Sequence, residues 1–149
     1  MQRFSQDLCQ STKQYTMRYF SLILFCLALS VASCKKTGSN AVIPNGTYSG
    51  TFQRLINGGG QISNVTITFS ANTWTGQSQS PRYPALCKGA YKEKSADSVS
   101  FENNCPWTAE FDWSLILTGD YKIVTSGENL EMSHNYSNGY LDVYKLKRH

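Results

Sequence analysis

Residues 64–70 read Asn-Val-Thr-Ile-Thr-Phe-Ser, and the alternation in that stretch decides the class of fold. Successive side chains of a strand point to opposite faces, so Val65, Ile67 and Phe69 share one side while Thr66, Thr68 and Ser70 take the other. The same period of two recurs through the chain after Asn40, interrupted by Gly, Asn, Asp and Pro, and no segment there carries a helical period. That combination predicts an all-β sandwich or barrel. Strands are expected at 46–55, 62–70, 73–77, 87–94, 98–103, 109–117, 121–126, 129–134 and 140–147.

Alternation also assigns faces. In residues 109–117 it sends Phe111, Trp113, Leu115 and Leu117 inward and Glu110 and Asp112 outward. Tyr48, Phe52, Phe69, Trp74, Tyr91, Phe101, Tyr121 and Tyr144 join that inner set. So many large rings in a short chain either line a cavity for an apolar ligand or fill a narrow barrel. Under the first reading Tyr91 and Trp113 face the ligand.

One hairpin follows from index arithmetic. Cys87 and Cys105 are the cysteines left once Cys9, Cys26 and Cys34 are assigned to the N-terminal region, and a pair in an exported domain is most simply a disulfide. Facing residues of an antiparallel hairpin have a constant index sum. If Cys87 faces Cys105, Tyr91 faces Phe101, Glu93 faces Val99, and the turn falls at Ala96 in Lys-Ser-Ala-Asp-Ser.

The N-terminal region reads as an address. The apolar run from Tyr19 to Val31 has thirteen residues, short of the roughly 20 a membrane-spanning helix needs. With Arg18 before it and Ala32-Ser33 after it, the run has the form of a signal peptide, residues 1–33, whose true start is expected at Met17. Val31-Ala32-Ser33-Cys34 resembles the bacterial lipobox, which implies lipidation of Cys34; ordinary cleavage near Ser33 is the alternative. One acyl chain anchors only marginally, at about 0.8 kcal/mol per buried CH₂, so several chains on Cys34 would make a stable membrane anchor. Residues 34–45 then form a lipidated N-terminus and a polar tether reaching about 15 to 20 Å, and residues 46–149 form the domain.

Charge narrows the partners. Arg3, Lys13, Arg18 and Asp7 fall in the leader, which leaves eleven basic against nine acidic residues from Cys34 onward. Near neutrality without clustered Lys/Arg gives no basis for a nucleic-acid partner. Beyond the cysteines only His134 and His149 could ligate zinc, at no zinc-site spacing, so no metal and no cofactor is expected.

At Asn-Gly-Thr-Tyr-Ser-Gly-Thr-Phe (45–52), Leu-Thr-Gly-Asp-Tyr-Lys-Ile (117–123), Ser-Gly-Glu-Asn-Leu-Glu-Met-Ser (126–133) and Asp-Val-Tyr-Lys-Leu-Lys-Arg (142–148) the chain resembles the lipocalin-like, calycin-type lipoproteins of Bacteroidota. The resemblance implies a small antiparallel up-and-down β-barrel of about eight strands with no common catalytic apparatus. The chain departs from lipocalins in being shorter and in carrying Tyr48 where they have Trp. Surface-exported lipoproteins of some Bacteroidota carry an acidic run after the cysteine. Lys35-Lys36 stands there instead, which points to the periplasmic side of the outer membrane.

No catalytic constellation is read. Glu110 and Asp112 are neighbours on a solvated face, and His134 shares the face of Leu130 and Met132 without a Ser/Asp partner. His134 is then either a locally bonded rim histidine or a contact for a polar head group at the barrel mouth. The irregular stretch 76–87 carries Arg82 and Tyr83, and loops on a rigid scaffold often carry recognition. Arg82, Tyr83 and the nearby Trp107 are therefore ligand-binding candidates; an inert lid is the alternative. The function expected is that of a non-enzymatic, membrane-anchored envelope lipoprotein binding a small apolar or amphipathic ligand, or else docking an envelope protein through the barrel exterior.

Overall fold

The computed structural model describes residues 42–149. The expected leader, the expected lipidation site Cys34 and most of the expected tether lie outside the described residues. Eight strands follow in chain order: β1 Gly46–Leu55, β2 Ile62–Ser70, β3 Thr73–Ser78, β4 Lys88–Ser95, β5 Ser98–Asn103, β6 Gly119–Ser126, β7 Asn129–Asn135 and β8 Leu141–Arg148. Each pairs antiparallel with the next, and β1 pairs with β8, so the sheet closes into an up-and-down barrel. Closure leaves no sheet edge for another chain to extend. Asn40–His149 is a compact unit with its own core.

The two ends of the cylinder differ. At one end the hairpins turn within two residues, at Ala71-Asn72, Ala96-Asp97 and Gly127-Glu128. Ala71 and Asn72 both have positive φ, 47° and 66°, the backbone of a turn whose twist matches that of the strands. The opposite end carries the longer connections 56–61, 79–87, 104–118 and 136–140. It is called the loop end below.

The expected β4–β5 register holds. Tyr91 faces Phe101 and Glu93 faces Val99, until a bulge between Glu93 and Ser95 moves the last pair to Ser95 and Ser98. Cys87 and Cys105 form the disulfide with Cα atoms 6.4 Å apart, within the range a disulfide can span.

The expected strand at 109–117 does not form, and β5 passes directly to β6 through Phe101 facing Gly119. Local bonding wins over alternation here. The Asp112 carboxylate accepts from the Ser114 amide at 2.9 Å and from its hydroxyl, and this caps a 3₁₀ turn at Trp113–Leu115. The inward set is corrected accordingly. Leu117 is buried, Phe111 and Leu115 are half-buried, and Trp113 is 54% exposed with its indole N–H donating to the Thr108 carbonyl.

The packed domain begins before the expected boundary at residue 46. Ile43 is fully buried, Tyr48 Oη donates to the Pro44 carbonyl at 2.8 Å, and the Val42 amide donates to Glu93 Oε1. This segment closes the tight-turn end of the cylinder.

Candidate functional site

A continuous run of rings fills the interior. From the loop end inward, Tyr83 meets Phe52 at 5.2 Å between centroids, Phe52 meets Tyr144 at 4.8 Å, and Tyr144 meets Tyr121 at 6.0 Å. Tyr121 meets Phe101 at 5.5 Å, Phe101 meets Phe69 at 6.3 Å, and Phe69 meets Tyr48 at 5.5 Å. Centroids 4.5–7 Å apart are rings in contact, so no ligand stands between consecutive members. Tyr91 belongs to this column, edge-on to Phe69 at 5.6 Å and 5% exposed. The filled barrel is thus the arrangement observed, and Tyr91 is one of its packed members.

Above the column, Arg54 closes the loop end. It follows Tyr48 and Phe52 on the inward face of β1 and is 3% exposed. Its Nε and Nη2 donate to the two oxygens of buried Asp142 at 2.6 and 2.7 Å. Nη1 donates to Asp112 Oδ2 at 3.0 Å and Ser114 Oγ at 2.8 Å, and Nη2 also donates to the Ser114 carbonyl at 2.8 Å. A guanidinium has five N–H donors, and here all are used. Tyr136 completes the cluster: its hydroxyl lies 2.8 Å from the Ser114 carbonyl and 3.1 Å from Asp142 Oδ2, two acceptors for its one proton, and its ring lies 5.0 Å from Arg54 Cζ. Arg54 is therefore a clamp that ties the 104–118 loop and the β7–β8 turn to β1, with no donor left for a ligand.

The electrostatics agree. Burial alone would lower the Arg54 pKa, but the hydrogen bonds and charge of Asp142 hold it above its ordinary value. Hydrogen bonds from Ser114, against slight burial and helped by Arg54, hold the Asp112 carboxyl below its ordinary value. Burial, reinforced by the Asp142 charge, pushes the Tyr136 phenol up to about 12, and burial also pushes Tyr121 and Tyr144 well upward.

The expected ligand residues all reach the loop end except Tyr91, but they do not converge on a cavity. Tyr83 packs on Phe52 and donates to the Gln61 carbonyl at 3.1 Å. Arg82 lies over Phe111, its Cζ 5.4 Å from the ring centroid, and Trp107 packs on the same ring while donating to Asn103 Oδ1 at 2.9 Å. His134 sits between Tyr121 and Tyr136, with Nδ1 against the Asp120 carbonyl, a locally bonded rim histidine. Trp113 is more than half exposed on the 104–118 loop. Among the described residues no cluster of three His, Cys, Asp or Glu could hold a metal ion.

Sequence reasoning missed Arg54 and Asp142. The signal was present: the alternation that places Tyr48, Phe52 and Tyr144 inside also places Arg54 and Asp142 inside.

The principal concavities lie on the outer wall. One groove, of about 610 Å³, crosses β1, β2 and β3; Ser49, Thr51, Asn64, Thr66, Gln77 and Gln79 line it over Gly50, and His149, whose amide donates to the Thr47 carbonyl at 3.0 Å, borders it. Gly50 falls where β1 comes so close to β8 that a Cβ would meet the Lys145 carbonyl oxygen. Comparison with protein-family models, curated proteins and solved structures gives no match.

Proposed function

We propose that the chain is a non-enzymatic lipoprotein of the cell envelope, anchored through acylated Cys34, whose barrel binds from its outside surface and does not enclose a small apolar ligand. The observation that carries this reading is the unbroken ring column from Tyr83 to Tyr48, closed at one end by Arg54 and at the other by Ile43. The anchor rests on the signal-like run 19–31 and on Val31-Ala32-Ser33-Cys34. Because the chain enters the cylinder at the tight-turn end, a tether from Cys34 would leave the loop end and the outer wall free to meet a partner. The periplasmic side of the outer membrane is the proposed location, on the strength of Lys35-Lys36.

Intact and native mass spectrometry of the protein taken from its own host's membranes tests both halves. The expected result is an acyl mass on Cys34, lost in Cys34→Ser, and no stoichiometric small adduct in the native spectrum. An unacylated chain in the soluble fraction overturns the anchor, and a reproducible apolar adduct overturns the exterior reading.

A further inference from the structure

From Asn40 to Pro81 the sequence has one charged residue, Arg54, and that residue is buried inside the barrel. The outward side chains of β1, β2 and β3 therefore carry no charge, the one ionisable residue at their groove being His149, whereas the strands beside them present Lys145 and Lys147 on one flank and Lys88 on the other. Exposed protein surface is ordinarily about a quarter to a third Lys, Arg, Glu and Asp, so a three-strand face with none stands apart.

Neutral polar groups cover most of that face in ordered rungs, with exposed Ile62 beyond the third. The register aligns Thr47, Thr68 and Thr75 in one rung and Ser49, Thr66 and Gln77 in the next. Thr51 and Asn64 begin a third, which Gln79 extends through a 2.8 Å amide bond from Asn64. Strands stand about 4.8 Å apart and same-face residues about 6.8 Å, so hydroxyls and amides repeat on a grid roughly 10 Å wide and 14 Å long. Pairs such as Thr47 with Thr68, at 3.0 Å, use one hydrogen bond of groups that can each make up to three. The side chains of Thr51, Thr75 and Gln77 take no partner among the described residues. The groove over Gly50 runs through the middle of this grid.

A partner here must meet many neutral donors and acceptors at once, since covering a hydroxyl without bonding it costs about 1–3 kcal/mol. Ions gain nothing from an uncharged face. A protein partner would want the aromatic and Arg anchors that carry most interface energy, and the grid has none. The complement is a chain dense in neutral hydroxyls. We infer that the outer β1–β3 face is a binding site for a neutral oligosaccharide, lying along the groove and hydrogen-bonded by Ser49, Thr51, Asn64, Thr66, Gln77 and Gln79. This rests on the exterior reading and names the ligand class for it.

The test is affinity electrophoresis of the Asn40–His149 unit in gels containing a β-glucan, an α-glucan, a xylan, a mannan or N-acetylglucosamine oligomers, with heparin as an anionic control. The expected result is retardation by at least one neutral glycan, unchanged between about 50 mM and 1 M salt because the glycan carries no charge to screen. The double variant Thr66→Lys with Gln77→Lys is expected to weaken that binding at least tenfold. Both positions are exposed, so its thermal midpoint should match the parent's. Retardation by no neutral glycan overturns the inference, as does retardation that the double variant leaves intact. A concentration-dependent dimer that the double variant abolishes overturns it in favour of a second copy of the chain. None of these outcomes touches the exterior reading, which fails only if the interior takes up a ligand.

Discussion

Replacing Arg54 by Met is the perturbation with the largest effect worked from the structure. It leaves the Asp142 carboxylate, 2% exposed, without the two charge-assisted bonds at 2.6 and 2.7 Å that hold it, and keeps only Tyr136 at 3.1 Å. Removing one member of a buried pair typically costs about 3–5 kcal/mol, because a charge stays behind uncompensated. A domain of this size is stable by about 5–15 kcal/mol, so the loss is a large share. With a urea slope of about 1–3 kcal/mol per molar, the unfolding midpoint should fall by about 2 M. Asp142→Leu leaves Arg54 with only Asp112, Ser114 and Tyr136, and should also destabilise. The double change removes both charges, and it should recover at least about 2 kcal/mol relative to the sum of the single changes. The assay is urea unfolding of the Asn40–His149 unit under non-reducing conditions. A loss below about 1 kcal/mol in Arg54→Met, or additive single changes, would refute the clamp.

Further outcomes follow from other contacts. Reducing the Cys87–Cys105 bond, which closes a separation of 18 residues, should lower stability by about 3 kcal/mol in the chain-entropy model, seen as a lower thermal midpoint with dithiothreitol. Gly89→Ala drives a Cβ against the Glu102 carbonyl oxygen and the Trp74 indole, so it should unfold the barrel or destabilise it by several times the roughly 1 kcal/mol of an ordinary glycine exchange. Asp112 has a folded pKa below its unfolded value near 3.9, so the stability it lends is present above that value and is lost as pH falls through the folded one. Amide exchange at Ser114–Ile116, corrected for its intrinsic pH dependence, should therefore quicken below about pH 4 in the parent but not in Asp112→Asn. The phenols of Tyr136, Tyr121 and Tyr144 shift the other way: their neutral forms are favoured in the folded state. Stability should fall once pH passes the unfolded value near 10, and an ultraviolet titration should show a tyrosine class that ionises only as the chain unfolds.

The barrel wall was legible because alternation and index sums are local arithmetic. Tyr91 facing Phe101 followed from the two cysteines alone, and the register departed only at the bulge after Glu93. Residues 109–117 misled because Asp112 and Ser114 satisfy the backbone themselves, an option invisible to a count of apolar positions. Ile43 was hidden because one apolar residue in a polar segment has no period. The inward positions of Arg54 and Asp142 could have been read, yet only the closed cylinder places β1 beside β8 and lets the two charges meet. The uncharged stretch 40–81 is plain in the composition, but its gathering onto one outer face depends on the β1–β2–β3 register.

The central claim is that this cylinder is full, and titration of the Asn40–His149 unit with a fluorescent apolar probe such as cis-parinaric acid tests it most directly. Unsaturable, weak partitioning with unchanged Trp74 emission, read in a Trp107→Phe, Trp113→Phe background, is the predicted result. Saturable uptake of one probe per chain, quenching Trp74 in that background and competed by a fatty acid, would contradict it.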